Sequence, residues 1–302
     1  QEKSIPLVLM GRDLFGCAQT GTGKTAAFSL PIIDILAQGI ARARMPRTLI
    51  ISPTRELAQQ ISENFTTYNK FHKLSHAVLI GGESMPDQER SLSKHPDVII
   101  ATPGRLIDMA DRGKVMLGGI KILVIDEADR MLDMGFIPDV TRIVEMLPRI
   151  RQTLLFSATM SKKIIAITQK YMNNALEISV ARVNKVADNL KHLLYMVQAK
   201  DRYEVLKRIT DINPNIYGIT FCRTRRETKE ISNKLMHDGY NADAIHGDLS
   251  QAQRDEVMGR FRKRQLQILV ATDVAARGLD VDDLTHVINY NLPDESEIYI
   301  HR

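Results

Sequence analysis

The sequence predicts an α/β protein made of two successive domains, each built on an open, doubly wound parallel sheet. Its 302 residues suffice for two domains of about 150 residues, and an apolar share of 44% can fill two cores. Short apolar runs rich in β-branched residues alternate with segments of helical period. Runs that are apolar on both faces are typical of parallel strands covered by helices on each side.

A glycine-rich segment follows the first apolar run and precedes a helical pattern. Gly21 and Gly23 permit a tight turn whose backbone N–H groups approach phosphate oxygens, where the next helix also directs its dipole. Lys24 adds a charge and the Thr25 hydroxyl can ligate Mg²⁺, although Ala18 replaces the first glycine of the phosphate-loop pattern. A plain helix-capping turn is the alternative. The predicted nucleotide-binding residues are Ala18, Gln19, Thr20, Gly21, Thr22, Gly23, Lys24 and Thr25.

Five later runs in the first half end in polar, often glycine-containing motifs. Because ligands bind beyond the carboxyl ends of the strands in such sheets, we expect these motifs to form one functional edge. The predicted strands are Thr48–Ile51, Ala77–Ile80, Val98–Ile100, Ile122–Ile125 and Thr153–Phe156. The predicted helices are Thr25–Ala37, Glu56–Phe65, Gly104–Arg112, Pro138–Leu147 and Lys162–Tyr171.

The pattern repeats after a segment without a convincing period. We predict a first domain over residues 1–178, a linker over 179–189 and a second domain over 190–302. The second domain has no Gly-Lys-Thr loop, which predicts that both domains share one nucleotide site. Ser250 and Gln253 form a capping box at a helix start. The predicted strands are Leu193–Val197, Gly218–Phe221, Ala242–Ile245, Ile268–Ala271 and Val287–Tyr290, and the predicted helices are Arg202–Thr210, Arg226–Asp238 and Gln251–Lys263.

Hydrolysis of a bound nucleotide needs a carboxylate behind the metal and a group that orients water. Asp126 follows four aliphatic residues and is placed to hold Mg²⁺ with Thr25, while Glu127 can polarise the water. Lys24, Asp126 and Glu127 are therefore the predicted catalytic residues. An acid pair favoured by a helix dipole is the alternative reading.

A second set of strand-end residues is small, hydroxylated or cationic. Such side chains and their backbone N–H groups suit a phosphodiester backbone read without sequence preference, and a solvated basic face is the alternative. The set comprises Thr54, Arg55, Gly81, Gly82, Thr102, Gly104, Arg105, Arg223, Thr224, Arg254 and Thr272.

In order and spacing these motifs resemble those of DEAD-box RNA helicases of the bacterial cytosolic kind. The literal Asp126-Glu127-Ala128-Asp129 carries the family's name, and the resemblance covers Gln1 to Arg302. The other matching motifs are Ala18–Thr25, Pro53-Thr54-Arg55-Glu56-Leu57-Ala58, Gly81-Gly82, Thr102-Pro103-Gly104-Arg105, Ser157-Ala158-Thr159, Gln251-x-x-Arg254 and Ala271–Asp280.

The resemblance implies two RecA-like domains that close over ATP with Mg²⁺ and single-stranded RNA, and that separate short duplexes. It implies that Gln1 reads adenine and that Gly278 and Asp280 approach the nucleotide. Pro53 and Pro103 join the RNA-binding set. Ser157, Thr159 and Gln251 are implied to couple the ATP site to strand separation.

The sequence departs from the family pattern at several points. The chain opens without Met, and His301-Arg302 stands where the last helicase motif begins. We therefore expect a core fragment of a longer protein that hydrolyses ATP poorly, because a missing arginine finger costs about 10³–10⁵ in rate. Arg264 replaces a common turn glycine and Asn291 an aspartate, from which we expect little consequence.

Composition limits the remaining possibilities. Cys17 and Cys222 are the only cysteines, which predicts packed free thiols in a reducing cytoplasm, and no run is long enough to cross a membrane. The net charge of +5 is compatible with a polyanion such as RNA. Two other functions stay open, a DNA helicase or translocase and an ATP-gated RNA clamp. Ribosome-assembly or RNA-decay proteins are expected partners.

Overall fold

The computed structural model describes residues 1–18, 22–39, 45–179, 190–276, 281, 283–294, 298–299 and 302. The chain divides into two compact units, Gln1–Lys185 and Val186–Arg302. The predicted linker begins at Ser179, which ends a strand, and residues 180–189 lie outside the described ranges. The exact limits of the linker therefore stay a prediction.

The described part of unit one contains a seven-stranded parallel sheet in the order β3-β4-β2-β5-β6-β1-β7. Most of its strands are buried along their whole length, as expected of a sheet covered on both faces. The strands are β1 (Leu14–Cys17), β2 (Thr48–Ile51), β3 (His76–Leu79), β4 (Val98–Ala101), β5 (Ile122–Ile125), β6 (Gln152–Ser157) and β7 (Leu176–Ser179).

Helices cover both faces of this sheet, and successive strand residues alternate between two cores. Leu49 and Ile51 pack into the core beneath α5, α7 and α8, while Ile50 packs into the core beneath α1, α2 and α3. The helices are α1 (Ser4–Leu9), α2 (Lys24–Gln38), α3 (Arg55–Tyr68), α4 (Met85–Leu92), α5 (Pro103–Asp111), α6 (Ala128–Asp133), α7 (Ile137–Met146) and α8 (Lys162–Tyr171).

The described part of unit two contains a four-stranded parallel sheet in the order β11-β8-β10-β9. Its strands are β8 (Gly218–Cys222), β9 (Ala242–Ile245), β10 (Ile268–Thr272) and β11 (His286–Asn289). Its helices are α9 (Arg202–Ile212), α10 (Arg225–His237), α11 (Gln251–Arg262) and α12 (Asp273–Ala276), and a 3₁₀ turn spans Ala199–Asp201. The predicted capping box of Ser250 and Gln253 is confirmed at the start of α11.

The prediction of a strand over Leu193–Val197 is wrong. The segment has no regular secondary structure, and its apolar side chains are exposed, Met196 by 88%. A strand exists only through hydrogen bonds to a neighbour, and no strand in the described ranges pairs with this segment. The apolar pattern of this segment was therefore not sufficient to predict a strand.

An ion pair fastens the amino-terminal edge of the unit-one sheet. Arg47 Nη2 lies 2.6 Å from Asp97 Oδ1, and Arg47 Nη1 donates to the carbonyl of Leu36 near the end of α2. A cation at a helix C-terminus also complements the helix dipole. These contacts hold the C-terminal end of α2, opposite the end that follows the glycine-rich loop.

Both cysteines are free and buried, which confirms the prediction of packed thiols. No helix in the part of the chain that the structure describes has the length and apolar character that a membrane crossing requires.

Candidate functional site

The strand order of unit one gathers the sequence motifs at the carboxyl edge of its sheet. The ends of β1, β6 and β5 lie side by side, and those of β2, β4 and β3 continue the edge. Backbone hydrogen bonds extend beyond the strands, from Ala18 N to Ser157 O (3.0 Å) and from Thr102 N to Leu79 O (3.0 Å). The nucleotide-type motifs thus occupy one half of the edge and the small and cationic motifs the other half.

The phosphate loop leads directly into α2. Gly23 has φ +78° immediately before the helix, a conformation that favours glycine. Its carbonyl accepts a hydrogen bond from Gln1 Nε2 (3.4 Å), and a Cβ on Gly23 would lie 2.1 Å from that nitrogen. Gln1 is therefore placed at the loop. Gln19, Thr20 and Gly21 lie outside the described residues, whereas Thr22 and Thr25 lie at the loop's end.

The Lys24 ammonium is the clearest indication of the kind of ligand that this edge would bind. Its Nζ atom is buried and has no hydrogen-bond partner among the described residues. A buried, unpaired charge costs free energy unless an anion compensates it. The amine at the start of α2 therefore fits an anionic group such as a phosphate.

Two buried carboxylates follow β5. Asp126 is 2% and Glu127 6% exposed, and Asp126 Oδ1 accepts the N–H of Glu127 (3.0 Å). Burial raises the pKa of Asp126, while Lys24 acts to lower it. Burial also raises the pKa of Glu127 to about 7, although Arg130, whose Nε lies 3.2 Å from Glu127 Oε2, opposes the rise. A carboxyl group that titrates near neutral pH suits proton transfer.

Glu127 is also strained. It adopts φ +51° directly before α6, in the left-handed region that a non-glycine side chain rarely occupies. Such strain costs on the order of 1–3 kcal/mol and is typical of functional sites. The local backbone thus departs from its preferred conformation at a residue that the sequence marks as catalytic.

Asp129 connects the acidic motif to the end of β6. Its Oδ2 accepts the N–H groups of Ala158 and Thr159, each at 2.9 Å, while Ser157 Oγ donates to Thr159 O (2.8 Å). The sequence pattern indicated no separate role for Asp129. Its acidic character on the first turn of α6 was visible in the sequence, but its partner strand was not.

In the other half of the edge, Arg55 lies over the glycine pair. Gly82 has φ +78°, and a Cβ there would lie 2.1 Å from Arg55 Nη1. Thr54 caps α3, because its Oγ1 accepts the N–H of Leu57 (3.3 Å). Gly81 and Gly82 therefore provide space for a guanidinium, a function that the sequence pattern alone did not indicate.

The motif after β4 combines a rigid helix start with an open surface. Pro103 is the first residue of α5, and Thr102 precedes it in extended conformation. Arg105 donates through Nη1 and Nη2 to the carbonyl of Glu83 (3.4 and 3.3 Å). A Cβ on Gly104 would meet no atom within 4 Å. Gly104 therefore leaves space for a ligand beside the helix N-terminus.

In unit two the predicted residues lie at strand ends or in α11. Thr224 caps α10 by accepting the N–H of Glu227 (3.2 Å), and Arg223 Nη2 lies 2.8 Å from Asp294. Arg254 Nη2 donates to Ala275 O (3.1 Å). Thr272 Oγ1 accepts the Ala275 N–H, and Gln251 Nε2 donates to Asp255. The last two predicted positions, Gly278 and Asp280, lie outside the described residues.

The two departures from the family pattern have structural consequences that the sequence analysis did not expect. Arg264 adopts φ +57°, and its guanidinium pairs with Asp283 (3.2 Å) and lies over the Tyr217 ring (4.7 Å). Asn291 accepts the Arg223 N–H (3.0 Å) and donates to Glu227 (3.3 Å). An aspartate could not donate to Glu227.

The side chain of Arg302 is buried, and the sequence pattern marked this residue only as the start of a motif. Its Nε and Nη2 contact both oxygens of Asp273, at 2.5 and 2.7 Å. Its Nη1 donates to Asn289 Oδ1 and Asn291 O, both at 2.7 Å, and the guanidinium lies 4.9 Å from the Phe221 ring centroid. Arg302 therefore joins β11 to α12.

The parallel sheet of unit one, its phosphate loop and its strand-end acids define a P-loop nucleotide-binding protein, and unit two repeats part of that sheet without the loop. Comparison with known proteins identifies the family within this class. The family model "DEAD/DEAH box helicase" matches residues 1–167, and "Helicase conserved C-terminal domain" matches residues 201–302. The chain belongs to the DEAD/DEAH box helicase family.

Relatives and solved structures agree with this assignment. The DEAD-box ATP-dependent RNA helicase CshA of Geobacillus kaustophilus is 43% identical over the whole chain, which spans 64% of that protein. S. cerevisiae Dbp5 bound to RNA and ADP BeF3 matches with TM-score 0.87 and 31% identity, over 100% of this chain and 78% of that one. A DEAD box protein from Methanococcus jannaschii matches with TM-score 0.56 and 39% identity, over 99% and 80% of the two chains. These neighbours establish two tandem RecA-like domains.

Proposed function

We propose that the protein is an ATP-dependent RNA helicase that binds the backbone of single-stranded RNA and separates short duplexes. The observation that carries this proposal is the buried Nζ of Lys24, which has no hydrogen-bond partner in the described part of the chain and lies close enough to Asp126 and Glu127 to oppose the burial-driven rise in the pKa of both. It calls for a phosphate-bearing ligand at an acid-lined strand end. The names of the relatives, which include RNA helicases and an RNA-bound structure, favour RNA as the second ligand.

We assign the nucleotide-side roles as follows. Lys24 and the loop N–H groups bind the phosphates, and Gln1 with its contact to the loop reads the base. Thr25 and Asp126 would hold Mg²⁺, which neutralises phosphate charge when bound. Glu127 accepts the proton of the attacking water, for which a pKa near 7 is well suited. The remaining nucleotide-binding positions of the sequence analysis keep their roles as proposals.

The RNA-side roles follow from the other half of the edge. Arg55 and Arg105 provide cations, and the glycine pair and Gly104 allow close approach of a phosphodiester backbone. Ser157, Thr159 and Asp129 would transmit the nucleotide state along the edge, because their hydrogen bonds connect α6 to the end of β6. Arg223, Thr224, Arg254 and Thr272 would supply the contacts of unit two.

We further propose a cytoplasmic location and partners from ribosome assembly or RNA decay, a view that the free thiols support. The chain spans 57–64% of the length of the first curated relatives that it matches, so the activity of this chain has to be measured directly.

ATPase rate with matched RNA and DNA strands tests the proposal. We expect RNA to stimulate hydrolysis and DNA to leave it near the basal rate, and a short RNA duplex to separate only when ATP is present. Equal stimulation by DNA would instead support the DNA translocase. Stable RNA retention with a non-hydrolysable nucleotide and no strand separation would support the clamp.

A further inference from the structure

The sheet of unit two matches four strands of unit one in order and in register. The order β3-β4-β2-β5 corresponds to β9-β10-β8-β11. In both sheets the corresponding strands pair at equivalent residues. The pairs are Ile51↔Ala101 with Leu79↔Ala101 in unit one, and Phe221↔Ala271 with Ile245↔Ala271 in unit two.

This register identifies equivalent positions beyond the strand ends. Thr54 and Thr224 each cap the following helix, and each is followed by an arginine, Arg55 or Arg225. On the neighbouring loop, the residue equivalent to Gly82 is Asp248. Unit two therefore carries a carboxylate where unit one has a glycine.

The contacts change accordingly. Arg55 rests against the bare backbone of Gly82. Arg225 Nη1 instead lies 2.7 Å from Asp248 Oδ1, and Lys229 Nζ lies 3.2 Å from Oδ2. The side chains of Arg225 and Lys229 are 65% and 50% exposed, so both cations face solvent while one carboxylate binds them.

Exposed ion pairs of this kind contribute little free energy, about 0–1 kcal/mol. An incoming phosphate can therefore replace the carboxylate, since guanidinium and ammonium groups bind phosphate well. We propose that Arg225 and Lys229 form a phosphodiester-binding pair and that Asp248 is its internal counter-ion. Without RNA the carboxylate holds the two cations in place, and it weakens RNA binding because the phosphate must displace it. This inference rests on the proposed RNA-binding function.

The proposal predicts a change in salt dependence as well as in affinity. When RNA displaces Asp248, the released carboxylate recovers a solvent cation, which offsets part of the counterion release at the phosphate. Asp248→Asn removes that offset. We expect the slope of log Kobs against log salt to become steeper by up to about 0.7, the value for one phosphate contact on a single strand.

The experiment measures single-stranded RNA binding by the full chain at several salt concentrations, with a non-hydrolysable ATP analogue. Asp248→Asn should bind about three- to tenfold more tightly than the unchanged protein. Asp243→Asn is the matched control, because Asp243 lies in β9, the strand that precedes the Asp248 loop, and pairs with Arg260 at 2.8 Å. It changes the net charge equally, and we expect no more than twofold tighter binding.

A combined variant locates the effect. Replacing Arg225 and Lys229 by Gln should weaken RNA binding, and adding Asp248→Asn to that background should then have no effect. Equal gains from Asp248→Asn and Asp243→Asn, or a gain that persists without the two cations, would overturn the proposal. Failure of every variant to bind RNA would instead show that the proposed function is wrong, and the counter-ion with it.

Discussion

The two sheets share a core of four strands but differ in what lies beside it. Unit one extends past β5 with β6, β1 and β7, and that extension carries the phosphate loop and the buried Nζ of Lys24. No counterpart of the extension occurs in the described residues of unit two. In the described ranges, the half of the edge suited to a phosphodiester backbone thus occurs in both units, whereas the half suited to a nucleotide occurs in unit one.

The matching strand ends also carry opposite charge. In unit one β5 leads to the buried acids Asp126 and Glu127. In unit two the equivalent strand, β11, leads to Asn291, and its end is bound by the buried cation Arg302. The same backbone position therefore carries a buried acid pair in one sheet and a guanidinium cluster in the other, because the adjoining side chains rather than the strand decide the chemistry.

Replacing Lys24 should have the largest effect of the substitutions considered, and it should affect only the nucleotide half of the edge. Lys24→Ala deletes the cation of the nucleotide half, and we expect ATP hydrolysis to fall by about 10²–10³-fold, as when one preorganised donor is lost from an active site. RNA binding without nucleotide should stay unchanged, because the backbone half of the edge is intact. Steady-state ATPase rate and RNA affinity measure both effects, with the exposed Lys200→Ala as control. A parallel loss of RNA affinity would contradict the division into halves.

Removing Arg302 tests the guanidinium cluster of unit two. Arg302→Ala leaves the Asp273 carboxylate without its partner, so the unfolding transition of unit two should lose about 3 kcal/mol. Arg302→Lys should recover only part of this, since an ammonium cannot make the forked contact. Urea unfolding followed by circular dichroism measures the loss. The exposed Arg226→Ala is the control, and an equal effect there would argue against a special role for Arg302.

The pH dependence of stability tests the acid pair of unit one. The folded-state pKa of Glu127 is about 7, against an ordinary 4.5. The folded protein then holds more protons than the unfolded chain, so the free energy of unfolding should fall as pH rises from about 5 to 7. The total is on the order of 3 kcal/mol.

Glu127→Gln should remove the Glu127 part of that fall, while the raised pKa of Asp126 leaves a remainder. The variant should be more stable than the unchanged protein at pH 8, and the difference should be smaller at pH 5. Urea midpoints without nucleotide or divalent cations measure it, with the exposed Glu63→Gln as control. Parallel curves for the unchanged protein and Glu127→Gln would contradict the raised pKa.

The smallest expected effect concerns Asn291. Asn291→Asp replaces the amide that donates to Glu227 by a carboxylate, which should cost unit two about 1 kcal/mol. Adding Glu227→Gln should recover most of the loss, because one of the two facing acids becomes a donor. Thermal unfolding of the three variants checks this, and a neutral single substitution would show that the contact has no energetic value.

Most of the fold could be predicted from local pattern. All five strands predicted for unit one begin and end within one residue of the observed limits, and α8 matches its prediction completely. The failures have one physical origin. Leu193–Val197 has strand periodicity without a partner, and the strand β7 at the sheet edge lacked a strong pattern of its own. Pairing is a tertiary property that periodicity within one segment does not contain.

The sequence by itself determined the fold class, the phosphate loop and the acidic motif, because glycines, a lysine and strand-end acids specify backbone shape and charge within a few residues. Only the tertiary structure decided which motifs become neighbours. In the folded chain Asp129 contacts the end of β6, Arg55 packs against Gly82, and Arg225 forms an ion pair with Asp248. These contacts join residues 23 to 29 positions apart, and they depend on strand order, which local sequence does not encode.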